Sequence, residues 1–394
     1  MKHPGARLRN RYAIVGVGQS EIGEVPGSTS LGLLTTAMKA AIEDAGLTNR
    51  DVDGLITRGP DDIYCHHQRM GQRLGIDASF STSTDNGGAS QILSVALACM
   101  AIDAGLCETV VTGFGRNTWS RKNQNDATRM RGNIVPQSQE ENEFEPEFGY
   151  FGAPATHGFG ARRHMALYGT TREHFGHIAV TFRDHASRNP CAQKREPLTL
   201  EQYLAARLIV DPFGLYDCSL VTDGAGALVI TSAERARDLP QPPVYVAGFG
   251  FRNNLRGWFY DDHMVDTAAQ QASRQAYAMA GLGPRDVDCA QIYDCFTYMV
   301  LTQLEDYGFC PKGEGGPFVA SGALRLGGAL PTNTSGGQLS EGHCEGMLQI
   351  VEAVHQVRRD RPPDRQVPDC EVALASGHGG NTVCHSSLLL QRTP

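Results

Sequence analysis

The stretch Ala45-Gly46-Leu47-Thr48-Asn49-Arg50-Asp51-Val52-Asp53 returns later in the chain as Ala280-Gly281-Leu282-Gly283-Pro284-Arg285-Asp286-Val287-Asp288. The two copies share the pattern A-G-L-x-x-R-D-V-D and lie 235 positions apart (280 − 45). Each follows a run with helical spacing and precedes a short apolar segment, at residues 54–57 and 290–293. A glycine after such a run is typical of a helix end, and the apolar segment is typical of a strand. Since a chance match is the weaker explanation, we predict that the chain consists of two related halves.

The similarity between the halves continues further along the chain. A glycine pair precedes a helical run in each, in Asn86-Gly87-Gly88-Ala89-Ser90 and in Ser335-Gly336-Gly337-Gln338-Leu339. Each run leads to apolar residues that end in glycine, at 109–113 and 372–377. Strands that alternate with helices predict a parallel or mixed sheet covered by helices. Two copies predict two such α/β layers related by a pseudo-twofold axis.

The proline-rich segment 238–243 interrupts this pattern and sets the predicted boundary between the halves. One half then covers residues 1–240 and the other covers residues 241–394. The first half includes a loop region at 117–185. Its polar beginning, at 117–148, lacks an apolar period and is predicted to be a surface loop.

Beyond that loop we predict helices at 160–168 and 171–185 and a strand at 221–231, with a turn at Asp223-Gly224. The helical region is rich in histidine. We expect its imidazoles to be solvated or to lie at an interface, which concerns His157, His164, His174, His177 and His185.

Composition excludes several classes of function. The 394 residues are 41% hydrophobic and 20% charged, which is typical of a globular enzyme. The net charge of -8 argues against a nucleic-acid partner. No apolar stretch approaches the roughly 20 residues that span a bilayer, and the first residues lack the apolar core of a signal peptide. We therefore expect a cytoplasmic protein that is not inserted in a membrane.

The eleven cysteines indicate neither a disulfide framework nor a zinc site. Their number is odd, their spacing is irregular, and no C-x-x-C pair occurs. In a long chain without a signal peptide, such cysteines are expected to be reduced thiols. Histidine and cysteine are scattered without ligand spacing, so we predict no metal site.

The two glycine pairs differ in the chemistry that surrounds them. Backbone amides at a glycine turn and a helix N-terminus can hold a developing oxyanion. The second pair is followed by Gly342-His343-Cys344, which adds an imidazole and a thiol. The first pair has neither, and Ser90 beside it has no histidine or aspartate in its segment to activate it.

Four stretches together resemble the thiolase superfamily, in particular the sterol-carrier-protein thiolases and their lipid-transfer-protein-like relatives. In order along the chain these stretches are His164-Met165-Ala166-Leu167-Tyr168-Gly169-Thr170, Ser219-Leu220-Val221-Thr222-Asp223-Gly224-Ala225, Tyr293-Asp294-Cys295-Phe296-Thr297, and Asn333-Thr334-Ser335-Gly336-Gly337-Gln338-Leu339-Ser340-Glu341-Gly342-His343. The resemblance implies a duplicated five-layer αβαβα fold and a homodimer.

The chain departs from the thiolase pattern at the residue that accepts the acyl group. Thiolases carry a cysteine there, and alignment on Ala104-Gly105 places Gly88 at that position. The second thiolase cysteine is also absent from the C-terminal glycine turn at 376–380, although Cys384 lies beyond it. Tyr293 stands where thiolases have Asn or His. These features resemble the thiolase-like aldolases of steroid side-chain breakdown, which usually have Tyr where this chain has His343.

The resemblance and the residues together predict retro-aldol cleavage of a β-hydroxyacyl-CoA, with a steroid or another lipid as its acyl tail. This lyase reaction needs no acyl-cysteine, but it needs a base, an acid and stabilisation of the thioester enolate. We predict Tyr293 and His343 as the catalytic residues, without assigning acid and base. Oxyanion or loop roles are predicted for Gly88, Gly337, Gly380 and His378, and secondary roles for Cys295, Cys344 and Ser90.

Three alternatives remain open at this stage. The chain could be an acyltransferase or thiolase with another nucleophile, a non-catalytic carrier of lipid or acyl-CoA, or a subunit that depends on a partner. The aldolase branch implies a small partner protein with an OB fold and a zinc ribbon that binds acyl-CoA. No bound cofactor is predicted, and coenzyme A enters only as part of the substrate.

Overall fold

The computed structural model describes residues 4–59, 63–122, 150, 152–253, 264–380 and 384–394. The elements of the first half are β1 (Tyr12–Gln19), α1 (Ser30–Asp44), β2 (Gly54–Arg58), α2 (His66–Leu74), β3 (Phe80–Ser83), α3 (Ser90–Asp103), β4 (Thr109–Asn117), α4 (Thr118–Lys122), α5 (Ala153–Tyr168), α6 (Arg172–Arg188), α7 (Leu200–Ala205), β5 (Leu208–Val210), β6 (Phe213–Gly214), β7 (Asp223–Ser232) and α8 (Ala233–Ala236). Those of the second half are β8 (Val244–Asn253), α9 (Ala269–Ala280), β9 (Cys289–Gln291), α10 (Thr297–Asp306), α11 (Gly315–Ala320), α12 (Gly337–Ser340), α13 (Met347–Arg358), β10 (Val372–Gly379) and β11 (Cys384–Gln391).

The strands repeat one order in both halves. The sheet runs β3-β2-β4-β7-β1-β8-β11-β10-β9. In each half, the first strand (β1 or β8) lies at the centre, the last strand (β7 or β11) pairs beside it antiparallel, and the parallel pair β4–β2 or β10–β9 follows. The halves are joined where β1 pairs with β8, through Ala13 opposite Tyr245 and Ile14 opposite Val244. The two predicted layers are therefore hydrogen-bonded to each other at one edge.

The repeated stretch performs the same structural task in each half. Gly46 and Gly281 follow α1 and α9 with φ of +70° and +67°, a left-handed conformation that favours glycine. Asp53 then accepts hydrogen bonds from the amides of Glu108 and Thr109, both at 2.9 Å. Asp288 accepts hydrogen bonds in the same way from the amides at the start of β10. This shared role explains why the repeated pattern A-G-L-x-x-R-D-V-D includes its final aspartate.

Asp53 and Asp288, each with its two amide donors, form two aspartate clamps. The hydrogen bonds of the second clamp have nearly the same lengths as those of the first. The carboxylate of Asp288 accepts from the amide of Glu371 at 2.8 Å and from that of Val372 at 2.9 Å. Each aspartate thus ties the turn before one strand to the start of the neighbouring parallel strand, and fixes the register between them.

Helices cover both faces of the folded sheet in five layers. The helices α3 and α13 form the middle layer, and their apolar side chains pack against β-strands of both halves. The helices α1 and α2 cover the outer face of the first half, while α6, α9 and α10 cover that of the second. The prediction of a duplicated, five-layer α/β fold is confirmed.

Several predicted boundaries change in the structure. Asp223 and Gly224 begin the strand β7 rather than forming a turn before it. The predicted surface loop starts inside β4 and α4, and most of it, from residue 123 to 148, lies outside the described residues. The segment between β7 and β8 contains the predicted boundary near residue 240, and we propose the division between the halves there.

Three of the five histidines that we expect to be solvated or at an interface are buried within the chain. His157, His164 and His185 are at most 2% exposed. His164 contacts Glu305 at 3.1 Å and Thr170 at 2.9 Å. The reason is that α5 and α6 pack against α10, α11 and α12 of the second half, so the helix faces that carry these imidazoles are internal. Among the described residues, no helix is long and apolar enough to cross a membrane.

The two aspartate clamps should contribute equally to stability. Replacing Asp53 or Asp288 with Ala leaves two strand amides without their acceptor, and we expect each change to cost about 1–3 kcal/mol of unfolding free energy. Denaturant unfolding measures this, with Asp77→Ala as a control at an exposed position, for which we expect a change below about 0.5 kcal/mol. Equal stability of all four proteins would contradict the duplicated role.

Candidate active site

The N-termini of the two middle helices meet at the candidate site. Gly88 precedes α3 and Gly346 precedes α13, and a Cβ added to Gly346 would lie 3.4 Å from the carbonyl oxygen of Gly88. Gly88 lies immediately before Ala89, the N-cap residue of α3, whereas Gly346 is itself the N-cap residue of α13. The sequence pattern instead predicts that the turn at Gly88 corresponds to the turn at Gly336-Gly337. That pairing is wrong, because the second half inserts the short helix α12 before α13 and thereby shifts the spacing.

Gly337, for which we predict an oxyanion or loop role, lies beside a buried carboxylate. The amides that follow it, on Gln338 and Leu339, donate to the carboxylate of Asp294 at 2.9 and 3.2 Å. The amide group of Gln349 donates to the same carboxylate at 2.9 Å. A Cβ at Gly337 would collide with Asp294, so glycine is required here for a buried carboxylate to cap α12. Burial raises the pKa of Asp294 to about 6.

Tyr293 lies at the centre of the site, in the space beside Gly88. A Cβ added to Gly88 would collide with the ring and the hydroxyl oxygen of Tyr293 and with the backbone oxygen of His378. The tyrosine is held by its backbone, because its amide donates to Ser376 Oγ at 2.8 Å and its carbonyl accepts from Gln303 Nε2 at 2.8 Å. The position that the resemblance assigns to the acyl-accepting cysteine is therefore filled by the tyrosine ring.

His343 faces the tyrosine from the loop between α12 and α13. Its Nε2 lies 3.5 Å from the hydroxyl of Tyr293, and its Nδ1 lies 3.3 Å from Ser219 Oγ. Its amide donates to Thr222 Oγ1 at 3.0 Å. The second and fourth of the four stretches that resemble thiolases thus meet at one imidazole, and the third supplies its hydroxyl partner.

The protonation states of this pair follow from burial. Loss of hydration raises the pKa of Tyr293 well above its ordinary value, so the phenol is protonated at neutral pH. Burial, assisted by the charge of Arg116, lowers the pKa of His343 well below 6.5, so this imidazole is neutral. A neutral imidazole beside a phenol can accept its proton, and the phenol can donate a hydrogen bond to a substrate oxygen.

A pair of imidazoles, those of His378 and His157, lies on another side of Tyr293. The ring of His378 lies 6.0 Å from that of Tyr293, centroid to centroid. Its Nε2 is 3.4 Å from Nε2 of His157, which in turn is 4.0 Å from the sulfur of Cys295. The structure thus brings the predicted residues His378 and Cys295 into the site. It also adds His157, whose imidazole we expect from the sequence to be solvated or at an interface.

An ion-pair cluster lies next to the loop of His343. Glu345 contacts Arg58 Nε at 3.2 Å and Arg116 Nη1 at 3.8 Å. Glu345 has a φ of +47° and is followed by Gly346 with a φ of +86°, so this loop turns sharply before α13 begins. The cluster anchors that turn and places the positive charge of Arg116 near both catalytic candidates. Sequence analysis missed both arginines.

The remaining candidates have structural surroundings. The hydroxyl of Ser90 accepts from the amide of Asn86 at 2.6 Å and is fully buried. Cys344 lies in the core against Gly224, and burial raises its pKa to about 12. A thiol that stays protonated at neutral pH is a poor nucleophile, and the same applies to Cys295, whose pKa burial also raises.

Gly380, the last predicted loop residue, packs its amide against Gly87. It has a φ of +59°, and the residues that follow it, 381–383, lie outside the described part of the chain. Within the described residues, no group of three or more His, Cys, Asp or Glu side chains is arranged to hold a metal ion.

A pattern in α5 could have revealed His157. The buried residues of this helix include His157, Ala161 and His164, which are spaced by four and three positions and so share one helix face. Two histidines on a stripe of small residues indicate polar groups turned inward. The partner of His157 was not predictable from the sequence, because His378 is 221 residues away in the other half.

Comparison with known proteins identifies the family to which this fold belongs. The model described as thiolase, N-terminal domain, matches residues 12–234, and the thiolase C-terminal domain-like model matches residues 257–392. A steroid side-chain-cleaving aldolase of Thermomonospora curvata is 38% identical, over 89% of this chain and 91% of that protein. The 17-hydroxy-3-oxo-4-pregnene-20-carboxyl-CoA lyase of Mycobacterium tuberculosis is 37% identical, over 89% of this chain and 92% of its own length.

A solved structure described as Ltp2-ChsH2(DUF35) aldolase has 36% sequence identity and a TM-score of 0.87, and the match covers 98% of both chains. The likeness thus extends over the whole duplicated fold. The chain belongs to the thiolase family.

Proposed function

We propose that this protein is a thiolase-like aldolase that cleaves the Cα–Cβ bond of a β-hydroxyacyl-CoA by a retro-aldol reaction. The observation that carries the proposal is the position of Tyr293 in the space beside Gly88. A nucleophilic side chain at residue 88 and this tyrosine exclude each other. The site therefore offers proton transfer and hydrogen bonding in place of acyl transfer.

The reaction fits the groups that are present. The β-hydroxyl loses its proton, its oxygen becomes a carbonyl, and the electron pair of the broken bond passes to the α-carbon. The thioester carbonyl takes up the resulting charge as an enolate oxygen, which a protonated Tyr293 can stabilise by donating a hydrogen bond. The neutral imidazole of His343 lies 3.5 Å from that hydroxyl and can exchange its proton.

The names of the relatives support this chemistry and its substrate class. One is called a steroid side-chain-cleaving aldolase, and another is called a lyase of a steroid carboxyl-CoA. We propose a coenzyme A thioester as the substrate, with a steroid or a similar lipid as the acyl tail, and no further cofactor. The acyltransferase alternative is less well supported, because Cys295 and Cys344, the two cysteines that we predict for secondary roles, are held as protonated thiols.

We also propose that activity depends on a partner. The similar aldolase structure is named as an assembly of Ltp2 with ChsH2(DUF35). We propose a small acyl-CoA-binding protein with an OB fold and a zinc ribbon as the corresponding partner here, and a homodimer of this chain as the core of the assembly.

The first prediction concerns turnover. Incubation with a β-hydroxyacyl-CoA, with and without the partner from a neighbouring gene, should release a shorter acyl-CoA and a ketone or aldehyde. Mass spectrometry of both products measures this. Binding of the thioester without any cleavage under either condition would favour the carrier alternative and contradict the proposal.

The second prediction concerns the catalytic pair. Tyr293→Phe and His343→Ala should each lower kcat by about 10²- to 10⁴-fold, because each removes a proton donor or acceptor from the transition state. Steady-state kinetics measure this, with Tyr168→Phe as the control at a tyrosine that is 39% exposed. Turnover near that of the unmodified enzyme in both variants would refute their assignment.

The third prediction concerns the exclusion between residues 88 and 293. Gly88→Cys should destabilise the fold by about 1–3 kcal/mol because its Cβ collides with Tyr293. Adding Tyr293→Ala should recover part of this loss, since only the backbone oxygen of His378 would still be crowded. Denaturant unfolding of both single variants and the double variant gives the coupling, and strict additivity would contradict the clash.

A further inference from the structure

A hydrogen-bonded line of two buried imidazoles ends beside Tyr293. It begins at the carbonyl oxygen of Ala153 in α5, which lies 2.7 Å from Nδ1 of His157. It continues from Nε2 of His157 to Nε2 of His378 over 3.4 Å. Both histidines are at most 3% exposed, so neither ring can replace these partners with bulk water.

The line determines which nitrogen of each ring carries hydrogen. A carbonyl oxygen only accepts, so Nδ1 of His157 carries the proton. Burial lowers the pKa of His157 to about 4, so its ring is neutral at pH 7 and its Nε2 is bare. Nε2 of His378 faces this bare nitrogen and must therefore be the donor. The thiol of Cys295, 4.0 Å from the same Nε2 of His157, is protonated and is compatible with this assignment.

The consequence is a bare nitrogen on His378. Burial, together with the neighbouring His157 and His385, lowers the pKa of His378 well below 6.5, so this ring is also neutral. With hydrogen on Nε2, its Nδ1 has only a lone pair. Nδ1 is buried and accepts no hydrogen bond from any described residue. A buried acceptor left without a donor is costly, which indicates that a ligand supplies the donor.

The bare nitrogen belongs to a ring at the reaction centre. The ring of His378 lies 6.0 Å from that of Tyr293 and 5.9 Å from that of His385. The backbone oxygen of His378 is one of the atoms that a side chain at Gly88 would meet. Nδ1 of His378 therefore belongs to a ring beside the phenol of Tyr293. The phenol is a donor and Nδ1 is an acceptor, so the two groups have opposite hydrogen-bonding character.

We propose that His378 is the general base of the site and accepts the β-hydroxyl proton on Nδ1, with His157 as the positioning residue that fixes its tautomer. This inference rests on the proposed retro-aldol function and assigns the role that the sequence left open. Tyr293 and His343 then serve the thioester oxygen and the α-carbon.

The proton balance of this assignment closes within the site. The hydroxyl O–H bond breaks and its proton moves to Nδ1, while the oxygen pair forms the new carbonyl and the Cα–Cβ pair passes to the α-carbon. The α-carbon takes one proton from the pair Tyr293 and His343, and His378 returns its proton to that pair. No external acid, base or oxidant is consumed.

Nitrogen-15 NMR of histidine-labelled protein tests the tautomer directly, with the His378 signals assigned by loss in His378→Gln. We expect a bare Nδ1 and a protonated Nε2. In His157→Leu the donor loses its acceptor, so a mixture of tautomers should appear, and kcat should fall about 10- to 100-fold with KM changed less than about twofold. His157→Gln offers an amide oxygen to Nε2 and should restore the single tautomer and most of kcat.

His164→Gln is the matched control, because it removes another buried histidine of the same helix that contacts Glu305 instead. It should leave the His378 signals unchanged. A protonated Nδ1 in the unmodified protein, or a His157→Leu variant with unaltered His378 signals, would overturn the inference. The signals need no substrate, so the predicted tautomer without any cleavage would instead refute the proposed function and the base role that depends on it.

Discussion

The site depends on one steric constraint, which is that residue 88 and Tyr293 share a single space. The ring and hydroxyl of Tyr293 occupy the volume that any side chain at residue 88 would need. The glycine at the position that the thiolase resemblance assigns to the nucleophile is therefore the condition for a phenol in this space. Because a protonated phenol donates hydrogen bonds and does not accept an acyl group, this one contact decides which chemistry the thiolase fold performs here.

The tyrosine can serve this purpose because its neighbours are fixed. The side chain of Asn333 accepts from the amide of Ile292 at 2.6 Å and donates to its carbonyl at 2.8 Å. On the other side, Asp294 caps the helix α12 through two backbone amides. The backbone amides that follow the glycine turn at Gly336-Gly337 thus hold Asp294, and with it the neighbouring Tyr293, in place. The phenol of Tyr293 is protonated because it is buried.

Local patterns in the sequence predicted the duplicated fold, the loss of the nucleophile, and the pair of Tyr293 and His343, which the structure brings within 3.5 Å. These local patterns did not predict features that depend on packing between distant parts of the chain. The insertion of α12 concealed that Gly88 and Gly346 both lie at the starts of the middle helices, because the repeat spacing of 235 no longer applies there (346 − 88 = 258). The burial of His157 was not predicted, because the contacts of α5 with β5 and α10 join residues that are distant in the sequence.

In the proposed reaction, carbon–carbon cleavage proceeds by proton transfer without an acyl-enzyme. Cleavage of a β-hydroxyacyl-CoA in heavy water tests it most directly, with the released acyl-CoA and the intact protein both analysed by mass spectrometry. We expect one deuterium at the α-carbon of the released acyl-CoA and no mass added to the protein. An acyl adduct on the protein, or release of an acyl-CoA without deuterium, would contradict it.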